Sequence, residues 1–272
     1  LKSFTRRVLT IYSKHDLVQH LEKMNIDSEG TIIVHSSMKS IGEVDGGADT
    51  VLEAFCEFMR EGLLVFPTHT WAHINAEQPK FYVEETPTNI GILTELFRNY
   101  PNVIRSLHPT HSVAALGEGA EEFVAGDEQF DTPIARGSSW GKLLDRKAKI
   151  LLVGVDLTRN TFIHGIEEWM DIPNRLTDHH EPLVTVLPDG TEIPVPSRRH
   201  VSHYSLHYWK VEELLAQKGA IEYAQLGDAK VYVCDTVKFT KYISKMLEMD
   251  PELFSDNEPL SEEFIEKFRA LT

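Results

Sequence analysis

The chain of 272 residues is 42% apolar and 25% charged, the profile of a folded globular protein with a sizeable core. Its 42 acidic against 27 basic side chains leave a formal charge of −15, which repels nucleic acid and anionic membrane surfaces and so argues against either as partner. Only Cys56 and Cys234 occur, both in apolar or strand-like runs, so no disulfide framework is expected. No charged-then-apolar leader opens the chain, and no apolar run approaches the roughly 18 residues of a membrane span, so a cytoplasmic location is expected.

In chain order, Ser13 caps a helix over residues 13–24, with Leu17, Leu21 and Met24 on one face and Asp16 as the acidic third residue. Residues 31–35 form a β-branched run of the buried-strand kind, and Gly46-Gly47 leads into an amphipathic helix over 50–60. A second buried strand, 63–66, is stopped by Pro67, and a helix over 88–100 ends at Pro101. Strands follow at 112–116 and 150–155, then a helix at 161–170. This alternation predicts an α/β fold, a layered α/β/α sheet. Asp189-Gly190, flanked by Val184, Val186, Ile193 and Val195, predicts an inserted β-hairpin over 182–197. A helix at 211–218, a strand at 230–234, a helix at 236–249 and an acidic, loosely docked C-terminal helix within 250–272 complete the reading. With no linker or repeat, residues 1–272 read as a single domain.

The segments that carry chemistry sit at strand ends. His35-Ser36-Ser37-Met38-Lys39-Ser40-Ile41-Gly42 leaves the first strand, and its small residues let backbone N–H groups meet an anion such as a pyrophosphate, or simply make a turn. Pro67-Thr68-His69-Thr70 leaves the second, where open α/β sheets place ligands. Arg105-Ser106-Leu107-His108-Pro109-Thr110-His111-Ser112 offers donors for a phosphate or carbonyl, or a proline-anchored loop with locally satisfied histidines. In Asn160-Thr161-Phe162-Ile163-His164-Gly165-Ile166-Glu167-Glu168, His164 and Glu167 are three apart on a helix and share a face. A carboxylate beside an imidazole orients it as a general base, although the same spacing also makes ordinary surface pairs. Thirteen histidines raise the question of metal, but His69 with His73, and His200 with His203 and His207, complete no ligand signature, and no metal is expected. The segment 200–209 reads instead as aromatic-rich packing. Gly137-Ser138-Ser139-Trp140-Gly141 fits G-x-S-x-G, yet the preceding residues make a poor strand, which leaves a serine hydrolase using Ser139 as an alternative only.

Taken in order, these blocks resemble the aminoglycoside 3-N-acetyltransferases. The strand-end blocks at 35–42 and 67–70, Thr86-Pro87-Thr88-Asn89-Ile90-Gly91, the Arg105–Ser112 block with Ala114-Ala115-Leu116-Gly117, and Leu151-Leu152-Val153-Gly154-Val155 with Asn160-Thr161 and His164-x-x-Glu167 follow that family's order over residues 30–175. Trp140 stands where a proline is usual, and beyond Asn174 the agreement is loose. The resemblance implies a fold distinct from GNAT acetyltransferases and an acetyl-CoA-dependent transfer to the 3-amino group of an aminoglycoside-like acceptor, a cationic amine, with antibiotic resistance as a consequence. It implies contacts to coenzyme A from His35, Ser36, Ser37, Met38, Thr68, Ser106, His108 and Ser112, and a catalytic pair of His164 and Glu167. The C-terminal part with the hairpin would then complete the acceptor side. Glu84, Glu85, Glu168, Asp171 and Asp178 are candidates for an acidic acceptor cleft. A coenzyme A-binding homologue acting on a different amine, or inactive, is the alternative within the same resemblance.

Overall fold

The computed structural model describes residues 10–201 and 203–270. Expectations placed on residues 1–9, on Ser202 in the aromatic-rich segment, and on Leu271 and Thr272 of the C-terminal helix lie outside the described residues. Three aliphatic runs, Thr31–Ser36, Leu63–Pro67 and Lys149–Val153, lie parallel at the centre of the main sheet, with Thr31–Ser36 between the other two. Antiparallel strands flank them on both sides. Val113–Gly117 and then Ile104–Arg105 continue beyond Leu63–Pro67, while Ala229–Asp235 and then Ile221–Leu226 continue beyond Lys149–Val153, making seven strands.

The central strands are buried on both faces, which is why they read as continuous apolar runs rather than as alternation. Ile33, Val65, Ile150 and Leu152 face one core, and Ile32, Val34, Leu64, Phe66, Leu151 and Val153 face the other. Lys14–Glu22, Gly47–Phe58 and Ile92–Arg98 cover the second core through Leu17, Leu21, Phe55 and Phe97. Ser139–Asp145, Phe162–Trp169 and Thr236–Met249 cover the first through Trp140, Phe162, Ile166, Phe239 and Ile243. The three layers are those the alternation predicts, and Ser13 with Asp16 forms a full capping box.

Several boundaries differ for local reasons. The helix expected from residue 88 begins only at Ile92, because Gly91 has φ 131° and the Thr88 N–H is taken by Glu95 Oε2 at 2.9 Å. The strand expected to run to 155 stops at Val153, where Gly154 turns with φ 65°. Val184–Val186 and Glu192–Pro194 form the expected hairpin, but its partner Lys80–Tyr82, and the edge strands Ile104–Arg105 and Ile221–Leu226, have no clear sequence signal. The C-terminal helix is not loosely docked. Glu262–Arg269 inserts Phe268, fully buried, into the first core, its ring centroid 6.0 Å from that of Tyr242. No helix among the described residues is long and apolar enough to cross a membrane.

Candidate active site

The carboxyl ends of the three parallel strands open on a cleft of about 510 Å³. His35 and Ser36 end one strand at its wall, Pro67 and His69 leave the next, and Asn160, Thr161 and His164 enter from the helix that follows the third. Gly154 is the pivot between strand and helix. A Cβ there would stand 2.2 Å from the Ser40 Cβ, and Ser40 Oγ instead donates to Gly154 O at 3.2 Å, locking the two loops together.

His164 is the member of this wall with a carboxylate behind it. It sits in the first turns of Phe162–Trp169, and its Nδ1 lies 2.7 Å from the Tyr208 hydroxyl and 3.3 Å from Glu167 Oε2. Tyr208 also hydrogen-bonds Glu167 Oε2. A phenol has one proton to donate, and the carboxylate can only accept, so Tyr208 donates to Glu167 and accepts from His164. Nδ1 therefore carries a proton, and in the neutral ring the lone pair lies on Nε2. Glu167 is fully buried, and its Oε1 accepts from Arg175 Nε at 2.6 Å. Burial raises the Glu167 carboxyl, but hydrogen bonding and charge from His164, then from Tyr208 and Arg175, outweigh it and hold the group below its usual range. Arg175 is itself fixed by Pro251 O at 2.9 Å and lies 3.7 Å over the Tyr204 ring.

A second layer of imidazoles surrounds that pair. His200 stacks on His164, with ring centroids 4.3 Å apart and planes 19° apart, and its Nε2 is 2.6 Å from Glu168 Oε1. Burial pushes the Glu168 carboxyl up to about 8 and the His200 imidazole well below its ordinary value, so the pair is uncharged at neutral pH. His111 packs edge-on against His200 and tilts onto His69, which in turn meets Trp140. Burial likewise lowers His35 to about 4 and His69 and His111 well below the usual range. Burial thus favours the neutral form of four imidazoles in the wall, His35, His69, His111 and His200. Among the described residues, no three His, Cys, Asp or Glu side chains converge as a metal site.

The structure separates the candidate residues into two groups. His35, Ser36 and His164 line the cleft, Glu167 stands directly behind His164, and Ser37 and Met38 begin the short helix Met38–Ile41 beside it. Thr68, Ser106, His108 and Ser112 are buried one layer back. The Thr68 and Ser112 hydroxyls lie 2.9 Å apart and both accept from Arg105 Nε, while Ser106 Oγ accepts from Val113 N–H. His108 Nε2 is 3.3 Å from Ser197 Oγ at the end of the hairpin segment, and its Nδ1 faces the Thr110 and His111 N–H groups. Ser139 is no nucleophile elbow: its hydroxyl is fully buried against Asp127 Oδ2 at 2.8 Å and Phe123 O at 3.1 Å, away from any cleft. The acidic acceptor cleft also needs correction. None of Glu84, Glu85, Glu168, Asp171 and Asp178 lines the opening, and Glu168 is consumed by His200. The formally charged side chains that line it are Arg159 and Arg199, the latter paired with Glu181 at 3.0 Å.

Tyr208, Arg175 and Asn160 escape sequence reasoning as site residues. Tyr208 lies 41 residues from Glu167 inside a run that reads as packing, and Arg175 has no motif at all. Only the Asn160-Thr161 dipeptide, adjacent to the His164 block, carries a signal.

A layered α/β scaffold with a carboxylate-backed histidine at the strand ends is an arrangement that suits acid–base chemistry. Residues 33–248 match the family model of the aminoglycoside 3-N-acetyltransferases, and the chain belongs to that family of acyltransferases. It is 28% identical over 228 residues to the SPbeta prophage-derived aminoglycoside N(3')-acetyltransferase-like protein YokD of Bacillus subtilis (strain 168), covering 76% of this chain and 79% of that one. It is 29% identical over 196 residues to aminoglycoside N(3)-acetyltransferase VII of Streptomyces paromomycinus, covering 65% and 67%. In fold it is similar to the aminoglycoside acetyltransferase AAC(3)-IVa apoenzyme, with a TM-score of 0.80 at 23% identity over 92% of this chain and 93% of that one. AAC-IIIb in binary complex with CoASH superposes with a TM-score of 0.78 at 21% identity, over 88% and 97%.

Proposed function

We propose that this chain transfers the acetyl group of acetyl-CoA directly to an amine of an aminoglycoside-like acceptor, the 3-amino group, with His164 as general base. The observation that carries the reading is the chain His164–Tyr208–Glu167–Arg175, which leaves the His164 Nε2 lone pair facing a cleft at the strand ends. Acetyl-CoA supplies an already activated thioester, so no covalent acyl-enzyme is required. An amine attacks only through its lone pair. His164 Nε2 takes the proton released as the amine nitrogen bonds to carbon, and the buried Glu167 balances the imidazolium charge that forms. The co-substrate fits the lining: His35 Nε2, His69 Nε2 and Asn160 Nδ2 are buried there without hydrogen-bond partners, as expected of groups that await a ligand. His35 and Ser36 would contact coenzyme A, with Ser37 and Met38 beside them, while Thr68, Ser106, His108 and Ser112 hold that wall from behind. The hairpin segment, with Arg199 and His200 that follow it and line the cleft, would form the acceptor side of one working domain. Acetylation removes a positive charge from the drug, and resistance would follow from that.

The absence of carboxylates from the lining among the described residues favours a second reading, in which the same chemistry serves a less highly charged amine. Coenzyme A thiol release with kanamycin or gentamicin tests the first reading. His164→Ala should lower turnover by about 10²–10⁴-fold while acetyl-CoA still binds in calorimetry. Unchanged turnover would remove His164 from the reaction.

A further inference from the structure

Asn160 is placed by a turn that assigns its two polar atoms. Its side-chain oxygen, Oδ1, accepts the Phe162 N–H at 3.3 Å, and its backbone carbonyl accepts the Ile163 N–H at 3.2 Å. An N–H donor needs an oxygen opposite it, so the amide cannot be flipped and the NH₂ group must point the other way. Asn160 lines the cleft with a side chain only 1% exposed, and its NH₂ group has no partner. A buried amide donor left unpaired is destabilising and is expected to have a purpose. Here it stands at the amino terminus of Phe162–Trp169, where the helix already favours negative charge, one turn from His164. Another side-chain donor at the strand ends, the Thr68 hydroxyl, is fully buried and taken up with Ser112 and Arg105.

We propose that Asn160 is a catalytic residue, its Nδ2 donating to the thioester carbonyl oxygen of acetyl-CoA and to the oxyanion that this oxygen becomes. The inference rests on the transferase reading and extends it. The amine lone pair forms the N–C bond as the carbonyl π pair moves onto oxygen, facing Asn160. His164 Nε2 takes the nitrogen's proton. The carbonyl then re-forms, the C–S bond breaks, and the sulfur leaves with the bonding pair and recovers that proton as coenzyme A thiol. The hydrogen bond strengthens as charge grows on oxygen, so most of its contribution belongs to kcat.

Asn160→Asp and Asn160→Ser both keep an oxygen that accepts the Phe162 N–H, so the turn and the fold survive, but neither has the amide donor. Both should lower kcat by about 10²–10³-fold, with calorimetric acetyl-CoA affinity and melting temperature near those of the unaltered protein. A readout independent of acceptor is the infrared carbonyl stretch of bound, carbon-13-labelled acetyl-CoA. It should lie at lower frequency in the unaltered protein than in either variant. Equal carbonyl frequency and equal kcat in all three would overturn the role of Asn160 while leaving the transferase intact. Failure of the unaltered protein to bind acetyl-CoA would overturn the transferase reading itself, and this inference with it.

Discussion

Buried imidazoles dominate the chemistry of single residues in this protein, and they make its stability sensitive to acid. His35, His69, His108, His111 and His200 are all pushed below the ordinary histidine value by burial, His35 to about 4 and His108 to about 3. Below pH 6.5 the unfolded chain binds protons at these positions and the folded chain does not, so stability present above that pH is lost as pH falls toward the folded values. Glu168, raised to about 8, works in the opposite sense: its contribution is complete below its ordinary 4.5 and is lost as pH rises through 8. The histidines outnumber it, so near pH 5.5 unfolding should take up protons, read as a positive slope of unfolding free energy against pH. A flat profile across pH 5–6 would mean that the imidazoles are already charged in the fold. The His164–Glu167 pair is legible in the sequence because both members sit on one helix, three residues apart. Tyr208 and Arg175, which orient and neutralise it, come from other segments, and local spacing holds no trace of them.

Among the elements, the strand-to-helix passage at Gly154 decides where His164 lies. Its backbone turns with φ 65°, and any side chain there collides with Ser40 on the loop that leaves the neighbouring strand. Gly154→Ala should therefore lower stability by about 2–4 kcal/mol, from the left-handed backbone and the overpacking together. Gly190 has φ 84° in the hairpin turn with nothing within 4 Å of its added Cβ, so Gly190→Ala should cost only about 1–2 kcal/mol. Urea unfolding of the two variants separates close approach from backbone strain, and equal losses would refute the contact with Ser40. The central strands and the hairpin are readable in advance because burial on both faces, and a two-residue Asp-Gly turn, leave strong local patterns. Lys80–Tyr82 and Ile221–Leu226 leave none, since a short edge strand is defined by its partner rather than by its own composition.

At the scale of the whole molecule, net charge and local charge point in different directions. The chain carries −15, yet no carboxylate among the described residues lines the cleft, and Arg159 and Arg199 do. A polycationic acceptor would thus feel mainly the distant field of the molecule, which salt screens beyond about 10 Å at 0.1 M. Its KM should change less than about threefold between roughly 50 and 500 mM salt, and a rise beyond about tenfold would place carboxylates against the acceptor. Composition fixes the total charge but is silent on which residues face an opening. By itself the sequence determined the layered α/β class, the central strands, the family and the His164–Glu167 pair, because each is written in residues close together or in ordered blocks. The tertiary structure alone decided that Tyr208 and Arg175 complete the pair, that Thr68 and Ser112 are withdrawn behind the wall, and that Asn160 lines the cleft with its amide donor unpartnered. Those assignments depend on which long-range neighbour consumes each hydrogen-bonding group, and a chain acquires such neighbours only by folding.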